Sequence, residues 1–259
     1  MTKDQALFNY LLRLADSSLI LSQRLAECCG HGPILEEDIA LTNISLDLLG
    51  HATSVLTYAG KLEAGLPERN GKGRSEDELA FLRSEREFRN VLLAEQPNGD
   101  FACILTRQFL FDCWQFYLYE SLQKSKDETL AALSAKFSKE ITYHLRHSSE
   151  WMLRLGDGTL ESHERMQNAM NELWMFTGDL FGTDEADALM LRSGIGADLT
   201  QVKVKWEKHV AELLSKATLM VPSGIFMQSG SLQGKHTEHL GFMLAEMQYL
   251  PRTYTDSKW

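Results

Sequence analysis

Leu7, Leu11, Leu14, Ser18, Leu21, Leu25 and Cys28 recur at steps of four and three, the period of an apolar stripe on a helix that packs against other helices. A second such stripe runs through Leu41, Ile44, Leu48, Ala52, Val55, Ala59 and Leu62, a third through Phe101, Leu105, Gln108, Asp112, Gln115, Tyr119 and Leu122, and a fourth through Leu130, Leu133, Phe137, Ile141, His144, Ser148, Trp151 and Leu155. Only five Pro and 18 Gly interrupt the 259 residues, so elements can run long, and helices are the elements that do. No strand-period segment and no internal repeat is evident.

These stripes predict core helices over about 5–28, 34–64, 100–125 and 128–155. Gly30 and Gly32 end the first, and Pro33 with Glu36, Glu37 and Asp38 suits the first turn of the second. Asp100 and Asp127 sit where they can cap the third and fourth. Between the second and third lie a breaker-rich loop, 65–75, and a crossover helix expected over about 76–94. Further helices are expected over about 161–181, 198–220 and 237–250, separated by a Gly-rich loop at 182–196 and an irregular stretch at 221–235. The expectation is one all-α domain over 1–259, a four-helix bundle with a crossover segment and additional C-terminal helices.

Thirty-six acids against 26 bases leave a net charge of −10, which argues against a nucleic-acid surface. No run of about 18 uncharged apolar residues is found, so no membrane partner is expected. The N-terminus does not read as a signal peptide. Cys28, Cys29, Cys103 and Cys113 contain no CxxC pair, the pattern of reduced thiols in a cytoplasmic protein.

A long connection between the second and third helices is the plan of ferritin-like bundles, whose best-known site is a carboxylate-bridged di-iron centre built from Glu-x-x-His pairs. None of the eight histidines here has an acid three residues before it. Polar residues nevertheless lie on core faces: Asp47 with His51, Asp112, and Glu140 with His144, His147 and Glu150. They suit a buried hydrogen-bond network in the place of a metal site, with a weak metal site of a divergent oxidase as the alternative. His236-Thr237-Glu238-His239 tempts a zinc assignment, but Thr237 capping the last helix accounts for it equally well. Arg83, Arg86 and Arg89 make a locally basic row, able to hold phosphate or a partner's carboxylates, or to pair with Glu85 and Glu87. Phe109, Phe111, Trp114, Phe116, Tyr117 and Tyr119 ring the third helix, favouring a large helix-on-helix interface with another protein.

Several long blocks carry a resemblance. They are Gly30-His31-Gly32-Pro33, Asp38-Ile39-Ala40-Leu41-Thr42-Asn43, Leu46-Asp47-Leu48-Leu49-Gly50, and Glu95-Gln96-Pro97-Asn98-Gly99-Asp100-Phe101-Ala102. Tyr143-His144-Leu145-Arg146, Arg154-Leu155-Gly156-Asp157-Gly158-Thr159 and His236-Thr237-Glu238-His239-Leu240-Gly241 continue them. Across nearly the whole chain these resemble the C-subunit family of bacterial phenylacetyl-CoA epoxidases.

The resemblance implies a ferritin-like fold and a structural subunit with no catalytic residue and no metal of its own. Its implied partner is a related di-iron A subunit that epoxidises phenylacetyl-CoA. Electrons would come from NADPH through a reductase carrying flavin and iron–sulfur groups. It further implies CoA near the interface of the two subunits, with Glu87, Phe88, Arg89 and Asn90 and the stretch Ala188, Leu189 and Met190 as this chain's contributions. The loop 65–75 is longer and more basic than in other members, and His51 stands where Gln is common.

Overall fold

The computed structural model describes residues 1–255, all-helical with no strand among them. Four long helices dominate: α1 (Lys3–Ala26), α2 (Leu35–Ala64), α4 (Phe101–Leu122) and α5 (Glu128–Gly156), with a short α3 (Glu76–Phe81) in the crossover. After them come α6 (Leu160–Leu173), α7 (Glu185–Arg192), α8 (Leu199–Lys216) and α9 (Glu238–Thr253). Asp100 accepts from the Cys103 amide at 3.0 Å and Asp127 from the Leu130 amide at 2.8 Å, so both expected caps form. Pro33 instead lies outside α2, whose cap residue is Ile34.

α1 lies along α2 and α4 along α5, and α2 also meets α5. The seam residues Leu11, Leu21, Leu25, Ile44, Leu48, Val55, Phe137 and Ile141 are buried in one core. The Gln115 amide donates to the Ser18 hydroxyl at 3.2 Å, a polar tie from α4 to α1.

The expected crossover helix over 76–94 is the main correction. After α3 the chain passes through two single turns, Glu85–Glu87 and Leu92–Glu95. Ser84 starts afresh: its amide and hydroxyl both donate to Glu87, each at 2.8 Å. Such local side-chain bonds compete with a continuing helix, and Phe88, Val91 and Leu93 then enter the core.

Residues 161–181 likewise divide into α6 and tight turns over Trp174–Phe181, and the loop expected at 182–196 contains α7. There Asp184 accepts from the amides of Ala186 and Asp187 while Asp187 accepts from the Asp184 amide, a reciprocal cap that a reading attentive to glycines passes over. The aromatic ring around α4 is not an external interface either. Phe109, Phe111, Trp114 and Tyr119 are buried within this chain, because α6 and α8 pack on α4, while Phe116 and Tyr117 stay half-buried.

Contrary to expectation, α2 is long and apolar enough to cross a membrane by length and composition. Half of that stretch is buried in the protein's own interior.

Candidate functional site

The polar residues expected on core faces do meet, in the middle of the four long helices, but with partners exchanged. Asp47 and His51 are one turn apart on α2, and Glu140 and His144 one turn apart on α5. Each imidazole takes the carboxylate of the opposite helix: His51 Nε2 to Glu140 Oε2 at 2.6 Å, and His144 Nε2 to Asp47 Oδ2 at 2.9 Å. His147 continues the row, with Nε2 2.8 Å from Glu37 Oε2. Spacing alone suggests the neighbour four residues away on the same helix, and only the α2–α5 contact reveals the crossed pairing. Glu37 was missed as a member because an acid in a first turn reads as helix-dipole charge.

Asp112 belongs to a separate knot. Its two oxygens accept from Gln108 Nε2 at 2.7 Å and from the Ser148 hydroxyl at 2.8 Å. Burial pushes the Asp112 carboxyl up to about 6, against the opposing pull of His144 and these two bonds. Burial lowers His51 to about 4, outweighing the Glu140 bond and charge. The Glu140 side chain is 37% exposed, so water screens much of its attraction.

A di-iron site needs several carboxylates and imidazoles aimed at common points. Here the imidazoles are tied pairwise to carboxylates, of which Asp47 and Glu140 are partly open to solvent. Among the described residues no three His, Cys, Asp or Glu side chains come together where an ion could be held. The residues present do not fit such a centre, and Asp47, His51, Asp112, Glu140, His144 and His147 do not assemble a weaker one. The His236 cluster is no zinc site: His236 is bound to Glu95 at 2.9 Å and faces the Phe88 carbonyl oxygen at 3.1 Å. Thr237 does not cap α9 through its hydroxyl, since its amide is anchored to Glu95 at 2.6 Å.

The residues expected near CoA divide by burial. Phe88, Asn90 and Met190 are buried in the interior, and Asn90 donates to Glu95 at 2.8 Å. Ala188 and Leu189 are half-buried on α7. Glu87 and Arg89 line a cavity of about 280 Å³ together with Arg13, Arg74, Arg83 and Asp187. The two expected segments thus approach one cavity, with Asp184, Ala186 and Asp187 of α7 reaching it in place of 188–190. The arginine row is not a free phosphate clamp. Arg83 is buried against Asp16, and Arg89 Nη1 donates to the carbonyls of Arg86 and Phe88, both at 2.6 Å, so of the row only the Arg86 side chain is exposed. Arg13, in the same cavity, is bonded to Asp187 at 2.9 Å.

The phenylacetic acid catabolic protein family matches residues 1–259 of this chain. The chain is similar to the C subunit of the 1,2-phenylacetyl-CoA epoxidase of Escherichia coli (strain K12), at 50% identity over 250 residues, which covers 96% of this chain and 98% of that protein.

Proposed function

Because this chain belongs to the phenylacetic acid catabolic protein family, we propose that it is the structural, non-catalytic subunit of a multicomponent phenylacetyl-CoA 1,2-epoxidase. In this reading the four long helices are a ferritin-like bundle in a single domain, and the complex works in the cytoplasm in aerobic phenylacetate degradation. The bundle supports a related catalytic A subunit and turns nothing over alone. The di-iron centre that activates oxygen belongs to the A subunit, and a reductase with flavin and iron–sulfur groups brings electrons from NADPH. Glu87 and Arg89, at the mouth of the cavity beside α7, are this chain's contribution to the acyl-CoA pocket at the subunit interface.

The crossed pairing of His51 with Glu140 and His144 with Asp47 carries the reading. It joins α2 to α5 with the groups a metal site would need, so the polar interior acts as a brace. Co-expression with the A subunit, followed by separation of the chains, tests it. The expected result is a stable hetero-oligomer that epoxidises phenylacetyl-CoA only when both chains are present, with iron confined to the A subunit. Two tightly held irons in this chain, or turnover by it alone, would defeat the reading.

A further inference from the structure

Three consecutive residues of the crossover, Glu87, Phe88 and Arg89, are each pinned through the main chain by a buried ionisable side chain. The Arg83 guanidinium donates to the Glu87 carbonyl at 3.1 Å, and Asp16 of α1 accepts the Arg89 amide at 2.9 Å. His236, at the foot of α9, has Nε2 3.1 Å from the Phe88 carbonyl oxygen. That same oxygen is where the Arg89 side chain folds back, with Nη1 donating to it at 2.6 Å. A carbonyl oxygen has two lone pairs, so His236 and Arg89 share one acceptor and fill it. The loop before α9 closes the contact. Gly234 has φ +66°, and a Cβ added there would stand 2.9 Å from Arg89 Nη1 and overlap the Arg86 carbonyl. Leu232 of the same loop lines the cavity with Glu87 and Arg89. The protein thus holds Arg89 through Nη1, which leaves Nε and Nη2 to meet a ligand.

The His236 ring is held in turn by Glu95, whose Oε2 lies 2.9 Å from Nδ1. Glu95 is fixed by the Asn90 side-chain amide at 2.8 Å and the Thr237 main-chain amide at 2.6 Å. The charged groups facing the ring are Glu95 from the 92–95 turn and Asp16 from α1, and Asp16 is paired with Arg83 of the crossover. In the imidazolium form both ring nitrogens donate and both contacts are hydrogen bonds. A neutral ring has one N–H, and the carboxylate is the stronger acceptor, so that proton stays on Nδ1. Nε2 then turns a lone pair toward the Phe88 carbonyl, and the group that anchors Arg89 loses one of its two donors.

We propose that His236 is a positioning residue for the acyl-CoA pocket: by sharing the Phe88 carbonyl with Arg89, it sets where the Arg89 guanidinium stands. The inference rests on the reading that Arg89 belongs to that pocket, and adds to it a buried residue of another element on which the pocket's geometry depends.

The test measures KM and kcat for phenylacetyl-CoA in the complex with the A subunit and reductase, from about pH 6.5 to about pH 9. The chains compared are wild type, His236→Asn, His236→Gln and Arg89→Ala. Asn reaches only the place of Nδ1 and keeps the Glu95 bond, whereas Gln reaches the place of Nε2 and keeps a donor for Phe88. The expected result is a wild-type KM that rises roughly two- to tenfold toward alkaline pH, the range for one hydrogen bond, with kcat little changed. His236→Asn should hold the raised KM at every pH. His236→Gln should restore the low value and remove the pH dependence. A role in stability alone would make the two substitutions alike, since each deletes one bond of the ring. If the wild-type complex turns nothing over, or Arg89→Ala leaves KM unchanged, the pocket reading falls and this inference with it. If Arg89→Ala raises KM while His236→Asn and His236→Gln match each other, only the positioning role is overturned. Thermal melts set the assay temperature below the transition of every variant. Should His236→Asn not fold, a wild-type KM that stays flat with pH, or a slope that His236→Gln retains, overturns the proposal.

Discussion

His236 and Glu95 are bonded to each other inside the protein, Nδ1 to Oε2 at 2.9 Å, with neither side chain exposed. The other ring nitrogen faces the Phe88 carbonyl oxygen at 3.1 Å. Both nitrogens face acceptors, an arrangement that favours the imidazolium form. Burial alone would lower its pKa, but the bond and charge of Glu95 outweigh burial and raise it above the ordinary 6.5. The native state therefore keeps a proton that the unfolded chain has released. This stabilisation is full below about pH 6.5 and disappears as pH climbs through the raised native value. Urea unfolding between about pH 6 and pH 9 should show wild type losing stability on the alkaline side and His236→Gln losing less. An unchanged alkaline loss in the variant would contradict the assignment.

Asp112 and His51 pull in opposite directions. Asp112 is raised from 3.8 to about 6, so the native state holds a proton that the unfolded chain lacks, and stability falls as pH rises through that interval. His51 is lowered from 6.5 to about 4, so the unfolded chain takes up a proton that the native state refuses, and stability falls as pH drops. Each shift corresponds to roughly 3 kcal/mol at most, and over the shared range they offset. Asp112→Asn should expose the His51 slope, with stability declining toward acid. His51→Gln should expose the reverse slope. Denaturation midpoints at several pH values decide, and two variants with the wild-type profile would refute both assignments.

What could be read in advance follows from the range of the forces involved. The long helices were legible because an apolar stripe at steps of three and four, such as Leu7 through Cys28, is a local pattern with a single geometric solution. The absence of an acid three residues before any histidine was equally local. The crossover was misread because Leu82 through Asn90 has ordinary helix-forming composition. Its course is set by Ser84 bonding to Glu87 and by Asp16, some seventy residues away in sequence. The core polar residues could be listed from their stripes, yet their pairing could not. Asp47 is four residues from His51 along the chain but bonds His144 across the α2–α5 contact. The aromatic ring of α4 was read as an interface with another protein because what covers Phe109, Phe111, Trp114 and Tyr119, α6 and α8 of the same chain, lies beyond local pattern.

Asp16 is the pivot of that crossover. Its carboxylate is paired with Arg83 in the interior and accepts the Arg89 amide at 2.9 Å, while the Arg83 guanidinium lies 4.3 Å from the centre of the Phe88 ring. Removing one partner leaves an uncompensated buried charge, which costs about 3–5 kcal/mol. Asp16→Asn should therefore lower stability by that order and speed hydrogen exchange across 83–91. The double change Asp16→Leu with Arg83→Met should recover part of the loss. A single variant within about 0.5 kcal/mol of wild type, the range typical of changes away from such features, would mean the pair contributes little.

Gly50 and Gly60 share α2 but have opposite surroundings. A Cβ at Gly50 would point into open space, whereas one at Gly60 would overlap the Arg74 carbonyl, where the loop before α3 crosses the helix. Alanine is the better helix former, by about 0.8–1.0 kcal/mol over glycine. Gly50→Ala should thus raise the stability of the isolated chain by about that amount. Gly60→Ala should lower it, because the helix gain is overridden by displacing backbone from 73–75, where Arg74 also binds the buried Glu63 through its amide at 2.8 Å. Urea titration of the two variants side by side checks the contrast. Equal effects of the same sign would show that the loop moves freely on α2, and the close crossing at Gly60 would then have no energetic weight.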